Sequence, residues 1–232
     1  MTESLPVMSR RGPLTLLHTS PLHVPVFDAL RDEDHQGLEL RHVVVEELLA
    51  RARREGPEVV ADEVRALLDQ AVAEGAGAVL CTCSTIGDVA ERAGAGAVPV
   101  LRVDRPMAAA AVALGPRVVV LATVESTLEP TVALVEEEAR SAGRPVDIRT
   151  VLVEGAWALF EAGDVDGSAH VVAAAADAVT DADAIILAQA SMTPAQPLTV
   201  TSTPVLSSPR LGLAAGAEAA RDGRPGRVAH AQ

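Results

Sequence analysis

The chain runs twice through one pattern, in which short runs of Val, Leu and Ile alternate with helical stretches and end in loops rich in hydroxyl side chains. Leu16–Ser20 corresponds to Val120–Thr123, and Val79–Ser84 corresponds to Ile185–Ala190. Helices that alternate with apolar strands are typical of parallel β-sheets. A tandem repeat of such a unit predicts two similar lobes whose strand ends face one cleft.

The predicted fold is therefore α/β, with two similar four-stranded parallel-sheet lobes related by pseudo-twofold symmetry and the active site in the cleft between them. We expect lobe 1 to comprise residues 13–105 and a returning segment 207–221, lobe 2 residues 106–206, and flexible tails at 1–12 and 222–232. Apolar runs predict strands at 13–17, 38–45, 78–82, 98–103, 117–122, 147–153, 184–187 and 203–206. Helical periodicity predicts helices at 58–74, 86–93, 106–114, 129–142 and 170–179.

Aromatic side chains are scarce: the 232 residues include two Phe, one Trp and no Tyr, although 49% of the chain is hydrophobic. The chain has ample apolar material for a core, which must be built mainly from Val, Leu and Ala. We expect a substrate pocket with few rings to stack on, which slightly favours a small aliphatic acid over an aryl one.

All 19 basic residues are arginines. Without lysine, the chain cannot form an internal aldimine with pyridoxal phosphate or a Schiff base with a carbonyl substrate. It also lacks the lysine of a Walker A phosphate loop, and no G-x-G-x-x-G motif follows the first predicted strand. We therefore expect no cofactor, so that side chains and backbone groups perform the chemistry.

The formal charge of −13 disfavours nonspecific binding to nucleic acid or to anionic membranes, and we expect neither as a partner. The N-terminus does not resemble a secretory signal, and no uncharged apolar run is long enough to span a membrane. A cytoplasmic protein with reduced thiols is expected. The two cysteines are two residues apart, which is a poor geometry for a disulfide.

The segment Ala76–Asp88 places Cys83 between the carboxyl end of a buried strand and the start of a helix. Open α/β sheets bind ligands at that edge, and a helix N-terminus favours anions and lowers thiol pKa values. Cys83 is therefore predicted to be catalytic, whereas Cys81, inside the strand, is interpreted as a small buried hydrophobe. A lone C-x-C without paired histidines is weak evidence for zinc, and we predict no metal site.

Hydroxyl side chains at the strand ends are candidate donors to a substrate carboxylate or to the enediolate formed from it. Fixed donors must stabilise this extra negative charge where no metal or cofactor does so. Ser and Thr before a helix also serve as N-caps, so each candidate has a structural alternative. The candidates are Thr19, Ser20, Ser84, Thr85, Ser126, Thr127 and Ser191.

Among the histidines, His18 is the strongest candidate because it ends the first predicted strand. It is predicted to contact a substrate carboxylate, with a hydrogen bond to loop backbone as the alternative. His23 is less favoured, and His42 and His170 are interpreted as surface residues.

Together, these residues make the chain resemble the aspartate/glutamate racemase superfamily, which includes hydantoin racemases, maleate isomerases and arylmalonate decarboxylases. In that superfamily a first-lobe strand ends in Cys followed by Asn, Thr or Ser, and Cys83-Ser84-Thr85 occupies this place. His18–Ser20, Leu121–Thr123 and residues 205–209 also look like its strand-end loops. The resemblance covers residues 14–210 and implies cofactor-independent chemistry between two lobes, a small carboxylate substrate and a homodimer.

The chain departs from the superfamily at the second cysteine, which its racemases carry in the other lobe. The corresponding loop, Leu187–Met192, has Gln189 or Ala190 at or near that place, and these residues, with Ser191 and Thr123, are expected near the substrate. Gln cannot act as a proton base. A single thiol fits a reaction that needs a step on only one face of the substrate. Two such reactions are decarboxylation with reprotonation and nucleophilic isomerisation. Racemisation by one mobile base stays open.

The predicted function is that of an isomerase or racemase acting on a small carboxylic acid through Cys83 and an enediolate-stabilising pocket. One alternative is decarboxylation of a substituted malonate in the same pocket. The other is a small-molecule binding protein that has kept the cleft without turnover. Hydrogen–deuterium exchange at carbon separates an enzyme from a binding protein.

Overall fold

The first half of the chain forms a four-stranded parallel sheet in the computed structural model, which describes residues 12–96 and 98–222. The spatial order of its strands is β2-β1-β3-β4. The strands are β1 (Leu14–His18), β2 (Leu40–Val44), β3 (Ala78–Cys81) and β4 (Val100–Arg102). The helices of this half are α1 (Val24–Asp34), α2 (Glu46–Glu55), α3 (Ala61–Ala73), α4 (Gly87–Ala93) and α5 (Arg105–Leu114).

The second half forms a second four-stranded parallel sheet with the equivalent strand order, β6-β5-β7-β8. Its strands are β5 (Arg117–Ala122), β6 (Asp147–Leu152), β7 (Ala184–Leu187) and β8 (Val205–Ser207). Its helices are α6 (Leu128–Ala142), α7 (Ala156–Glu161), α8 (Val165–Asp177) and α9 (Ser208–Asp222), and a 3₁₀ segment, Ala190–Leu198, follows β7. The matching order of the two sheets confirms the predicted α/β fold of two parallel lobes.

Helices cover both faces of each sheet, which explains why the central strands are continuous apolar runs. On the first sheet, Val64 of α3 belongs to the same buried cluster as Val79, and Phe27 of α1 packs with Leu16 on the opposite face. Apart from Phe27, the largest fully buried side chains in the described residues are Leu, Ile and Met. No helix in that part of the chain has the length and apolar character needed to cross a membrane.

Helix α9 follows the second sheet in sequence but packs against the first. Its Leu213 and Ala220 belong to the same buried cluster as Leu14 and Leu80. Residue 212 must be glycine, because a Cβ atom there would overlap the carbonyl oxygen of Val103. Gly in a helix costs about 1 kcal/mol relative to Ala, and the close approach of the two segments explains why it stands here.

The predicted flexible tails, 1–12 and 222–232, lie almost entirely outside the described residues. Gly12 precedes β1, and Asp222 is the last residue of α9. The described end of the second tail is therefore helical.

Candidate active site

The carboxyl ends of the two sheets meet at a cleft between the lobes. Its walls come from the segments after β1, β2 and β3 of the first sheet and after β5, β6 and β7 of the second. This edge of a parallel sheet is where α/β proteins bind ligands. The cleft encloses a cavity of about 70 Å³. The predicted site residues that line it are Thr19, Ser20, Cys83, Ser84, Thr85, Thr127, Gln189, Ala190 and Ser191.

The two cysteines have different environments. Cys83 lines the cleft and is 8% exposed, whereas Cys81 lies inside β3 without exposed surface. The Cys81 thiol donates a hydrogen bond to the Cys83 carbonyl oxygen over 3.7 Å. Burial raises the pKa of the Cys81 thiol, so this thiol stays protonated at neutral pH. Cys83 is therefore the thiol that a ligand in the cleft can reach.

The helix after Cys83 begins at Gly87, one residue after its predicted start at residue 86. Residues 84–86 form a turn, and α4 begins at Gly87 and is only 7 residues long. The field of a helix N-terminus falls off within its first turn. The turn 84–86 therefore separates Cys83 from the first residue of α4, and Ser84 and Thr85 of this turn line the cleft together with Cys83.

Residues with hydroxyl side chains from both lobes line the cleft. Thr85 follows Cys83, and Thr127 comes from the opposite lobe. With Ser84 and Ser191, they form a set whose side-chain hydroxyls have no hydrogen-bond partner among the described residues. These hydroxyls are available to a ligand. The hydroxyl of Ser20 differs, since it accepts from the Leu22 N–H over 3.3 Å and caps a 3₁₀ turn.

Thr123 and Ser126, both predicted to bind substrate, do not line the cleft. Ser126 is exposed outside it. The backbone N–H and the hydroxyl of Thr123 both donate to Gln189 Oε1, over 2.7 and 3.1 Å. Thr123 therefore fixes the orientation of the Gln189 amide, and its hydroxyl is not free for a substrate.

His18 ends β1, but its ring lies inside the lobe and does not reach the cleft. The residue has no exposed surface, and its Nδ1 and Nε2 atoms lie 2.8 Å from Thr82 Oγ1 and 2.8 Å from His42 Nδ1. Burial lowers the pKa of His18 to about 3, with further contributions from His42 and His23. The structure contradicts the prediction that His18 contacts a substrate carboxylate. His42 is half-buried rather than on the surface, because it is the partner of His18.

The cleft also contains side chains outside the strand-end loops: His23, Leu49 and Arg53 of the first lobe, and Trp157 and Phe160 of the second. The rings of Trp157 and Phe160 stack with their centroids 5.4 Å apart, and the Arg53 guanidinium lies 5.2 Å from the Trp157 ring centroid. Two of the three Phe and Trp residues of the chain therefore line this one cleft. Two aromatic residues three positions apart share one side of a helix, and this spacing is the signal that could have identified them.

Charged groups are few in the cleft walls. Arg53 has no carboxylate partner among the described residues, and no Asp or Glu in that part of the chain lines the cavity. An anion entering the cleft meets a guanidinium and hydroxyl donors without an opposing carboxylate. Across residues 12–96 and 98–222, no group of three or more His, Cys, Asp or Glu side chains is arranged to hold a metal ion.

A larger cavity of about 780 Å³ adjoins the cleft. His23, Phe160, Ala190 and Ser191 line both spaces, so the two cavities meet along these residues. We call the larger space the apolar annex, because most of its remaining wall is apolar. These wall residues are Leu22, Val26, Leu30, Val165, Pro194, Pro197, Leu206 and Leu211.

The family of this protein is identified by a sequence match that extends along most of the chain. The sequence profile of a family described as Asp/Glu/hydantoin racemase matches residues 25–216. The chain belongs to the Asp/Glu/hydantoin racemase family. The resemblance identified from Cys83 and the strand-end loops is thereby confirmed.

Solved structures show that this Asp/Glu/hydantoin racemase family protein shares its fold with several enzymes. An aspartate racemase from Picrophilus torridus has a TM-score of 0.65 at 15% identity, over 90% of this chain and 94% of the other. A glutamate racemase from Thermus thermophilus has a TM-score of 0.63 at 21% identity, over 91% of this chain and 81% of the other. A glycine-to-cysteine mutant of arylmalonate decarboxylase has a TM-score of 0.60 at 20% identity, over 94% of this chain and 97% of the other. No curated protein matches the sequence.

Proposed function

We propose that this racemase-family protein is a cofactor-independent enzyme of the isomerase or racemase type that acts on a small carboxylic acid. Cys83 transfers a proton at the carbon next to the carboxylate, and the surrounding donors stabilise the enediolate that forms. The position of Cys83 is the observation that carries the proposal. Its thiol lines a cleft whose walls supply unpartnered hydroxyls from both lobes.

The hydroxyl donors match the charge that such a reaction develops. Removing a proton next to a carboxylate places extra negative charge on the two carboxylate oxygens. Donors that are already oriented stabilise this charge without reorganisation, and the loss of one costs about 10²–10³ in rate. Ser84 and Thr85 supply donors from the first lobe, and Thr127 and Ser191 supply donors from the second.

Arg53 is suited to hold the substrate carboxylate. A guanidinium is permanently charged and binds a carboxylate through two parallel hydrogen bonds. Stacking on Trp157 restricts the orientation of the Arg53 side chain, and no carboxylate of the described residues competes for it. The substrate anion is then bound at the rim of the cleft, although the surface as a whole is acidic.

The sizes of the two cavities support a particular kind of substituent. A space of about 70 Å³ holds a carboxylate and the carbon beside it but no bulky group, so the remainder of the substrate extends into the annex of about 780 Å³. The annex is mostly apolar, and its Arg210 already pairs with Glu33 over 2.6 Å. An alkyl or aryl substituent fits this environment better than a second carboxylate, which revises the slight preference for a small aliphatic acid.

Decarboxylation of a substituted malonate is the second candidate. Loss of carbon dioxide gives the same enediolate, which needs the same donors and one proton from one face. Cys83 is the one thiol among the described wall residues, and the segment from Gln189 to Ser191 adds none. A single thiol favours this reaction over racemisation by two thiols.

Isotope exchange tests the proposal. The protein is incubated in deuterated water with the separate enantiomers of phenylalanine, 2-phenylpropanoate and glutamate, and in parallel with phenylmalonate, and carbon-bound deuterium is followed by NMR. We expect incorporation by the unmodified protein and by the control Cys81→Ala, and in Cys83→Ala a loss of at least about 100-fold in the exchange of at least one enantiomer. A rise in melting temperature with these acids but without exchange or decarboxylation would identify a binding protein instead.

A further inference from the structure

We propose that His23 is the second acid–base group of the cleft and serves the face of the substrate opposite Cys83. The inference rests on the proposed function, since it assigns Cys83 a partner in proton transfer. It also accounts for the segment from Gln189 to Ser191, which lacks the second cysteine expected from the family resemblance.

The chemistry of the described cleft walls leaves two groups able to exchange a proton near neutral pH. No Asp or Glu among these residues lines the cavity, and the Gln189 amide has no basic atom and already accepts from Thr123. Arg53 stays protonated, and the Ser and Thr hydroxyls need an activating base. Cys83 and His23 remain, and thiols and imidazoles are the side chains used for such steps.

His23 lies where the lobes and the cavities meet. It ends the 3₁₀ turn Pro21–His23 of the first lobe, immediately before α1. It lines the cleft together with Cys83, and it lines the annex together with Ala190 and Ser191 of the second lobe. A substrate that extends from the cleft into the annex therefore passes the His23 ring.

One ring nitrogen of His23 lacks a partner. Its Nδ1 atom is buried, and no described residue forms a hydrogen bond with it. An unsatisfied buried polar atom costs about 1–3 kcal/mol, so it calls for an explanation. The other buried side-chain atom in this condition within the described residues is Thr193 Oγ1, and Thr193 also lines the annex. His23 as a whole is only half-buried, so the rest of its side chain supplies the surface that a ligand in the two cavities meets.

The neighbouring His18 shows the contrast between a structural histidine and a free one. The two ring centroids are 6.3 Å apart, but both nitrogens of His18 are occupied. Burial lowers the pKa of His23 from its ordinary value of 6.5, so the ring is neutral at neutral pH and can accept a proton. The ionisable groups that share its surroundings are His18, Cys83, Arg53 and Arg210.

The two groups complete a balanced reaction. Neutral His23 accepts the proton from the substrate carbon, and the C–H electron pair passes into the enediolate. The Cys83 thiol then donates its proton to the opposite face of that carbon, which leaves a thiolate and an imidazolium. Proton exchange with water restores the thiol and the neutral ring, and the reverse reaction begins from the thiolate–imidazolium pair.

The test compares His23→Asn with His170→Asn, which makes the same change at an exposed histidine outside both cavities. Asparagine keeps a polar group near the Nδ1 position but does not transfer protons. With the separate enantiomers of phenylalanine and 2-phenylpropanoate, we expect His23→Asn to lose at least about 100-fold of the exchange of one enantiomer and to keep that of the other. Cys83→Ala should show the opposite selectivity, and His170→Asn should behave like the unmodified protein.

Each contrary outcome has one meaning. Unchanged exchange of both enantiomers in His23→Asn, or equal loss of both at an unaltered melting temperature, overturns the role of His23 and leaves the proposed function standing. Absence of exchange and of phenylmalonate decarboxylation in the unmodified protein overturns the proposed function itself. If His23→Asn does not fold, the unmodified protein provides the test. The exchange rates of the two enantiomers should depend differently on pH, because an imidazole deprotonates one enantiomer and a thiolate deprotonates the other. Coincident pH profiles overturn the proposal.

Discussion

The Nε2 atom of His18 lies 2.8 Å from the Nδ1 atom of His42, and this contact is the centre of a hydrogen-bonded chain. On one side, His18 Nδ1 is 2.8 Å from the hydroxyl of Thr82, which lines the cleft. On the other, His42 Nε2 is 3.4 Å from a carboxylate oxygen of Asp28. Buried polar groups are stable when they are bonded in this way. This series of hydrogen bonds therefore fixes the side chain of Thr82, the residue that precedes Cys83.

Acid is expected to weaken the fold through His18. Its pKa is about 3 in the folded protein against 6.5 as the ordinary value, so at pH values between these two the unfolded state binds the additional proton. The free energy of unfolding then falls as the pH drops below 6.5, by at most about 1.4 kcal/mol per pH unit for this group. In His18→Asn, which cannot titrate but keeps a polar group toward Thr82, the decline should be shallower. Urea denaturation over this pH range measures the difference.

The exposed His170 supplies the control for this prediction. His170→Asn should lose stability with falling pH in parallel with the unmodified protein. If the free energy of unfolding of His18→Asn declines with falling pH as steeply as that of the unmodified protein and of His170→Asn, His18 is not the source of the acid sensitivity.

Alkylation should distinguish the two cysteines. Cys83 reaches the cleft, whereas Cys81 is fully buried and burial raises its thiol pKa. Since the thiolate is the species that reacts, iodoacetamide should modify Cys83 at least about 10-fold faster than Cys81 in the folded protein. Peptide mass spectrometry over time gives both rates. Equal rates in the folded protein, with both cysteines reacting only as fast as the chain unfolds, would mean that neither thiol is accessible.

The strands were predictable because their sequence pattern matches their environment. Strands 117–122 and 184–187 have the bounds predicted, since both are apolar runs buried between two layers of helices. Helix α1 was missed because it contributes a single fully buried residue, Phe27, and so lacks an apolar stripe. Helix α9 was missed because Gly212 and Gly216 weaken its helical pattern. Tertiary packing explains both glycines, because each lies against the first lobe where a Cβ atom would be too close to a neighbouring residue.

The site was predictable where it consists of strand ends. Cys83, Ser84 and Thr85 follow β3 directly, and topology alone brings them to the cleft. Arg53 and Trp157 were missed because they lie within helices of different lobes, so their meeting depends on how the lobes are arranged. The expected homodimer and cytoplasmic location stay predictions.

Breaking the buried ion pair between Arg102 and Asp104 should lower the free energy of unfolding substantially. Arg102 and Asp104 are 3% and 1% exposed, and the Asp104 carboxylate accepts from Arg102 Nε and Nη2 over 2.7 and 2.9 Å. Asp104→Asn leaves the guanidinium buried without its counter-charge, so we expect a loss of about 3–5 kcal/mol in the free energy of unfolding. Urea denaturation provides the measurement.

Two comparisons make the ion-pair prediction specific. Glu33→Gln removes one carboxylate from the exposed pair with Arg210 and should cost less than about 1 kcal/mol. The double change Arg102→Met with Asp104→Leu removes both buried charges and should recover much of the loss. A loss in Asp104→Asn as small as that in Glu33→Gln would show that the buried pair is not needed.

Filling the apolar annex should change which substrates are used. Val26 of α1 lines the annex but not the cleft, so Val26→Trp reduces its volume without touching the residues around Cys83. For phenylalanine or 2-phenylpropanoate we expect kcat/KM for isotope exchange to fall by about 10–200-fold, the range for steric changes in an apolar pocket. Alanine, whose methyl group needs little space beyond the cleft, should be affected much less. Val200→Trp makes the same change at a side chain that is 85% exposed and should leave both substrates unaffected. Equal losses for alanine and the aryl substrates in Val26→Trp would mean that the annex does not hold the substituent.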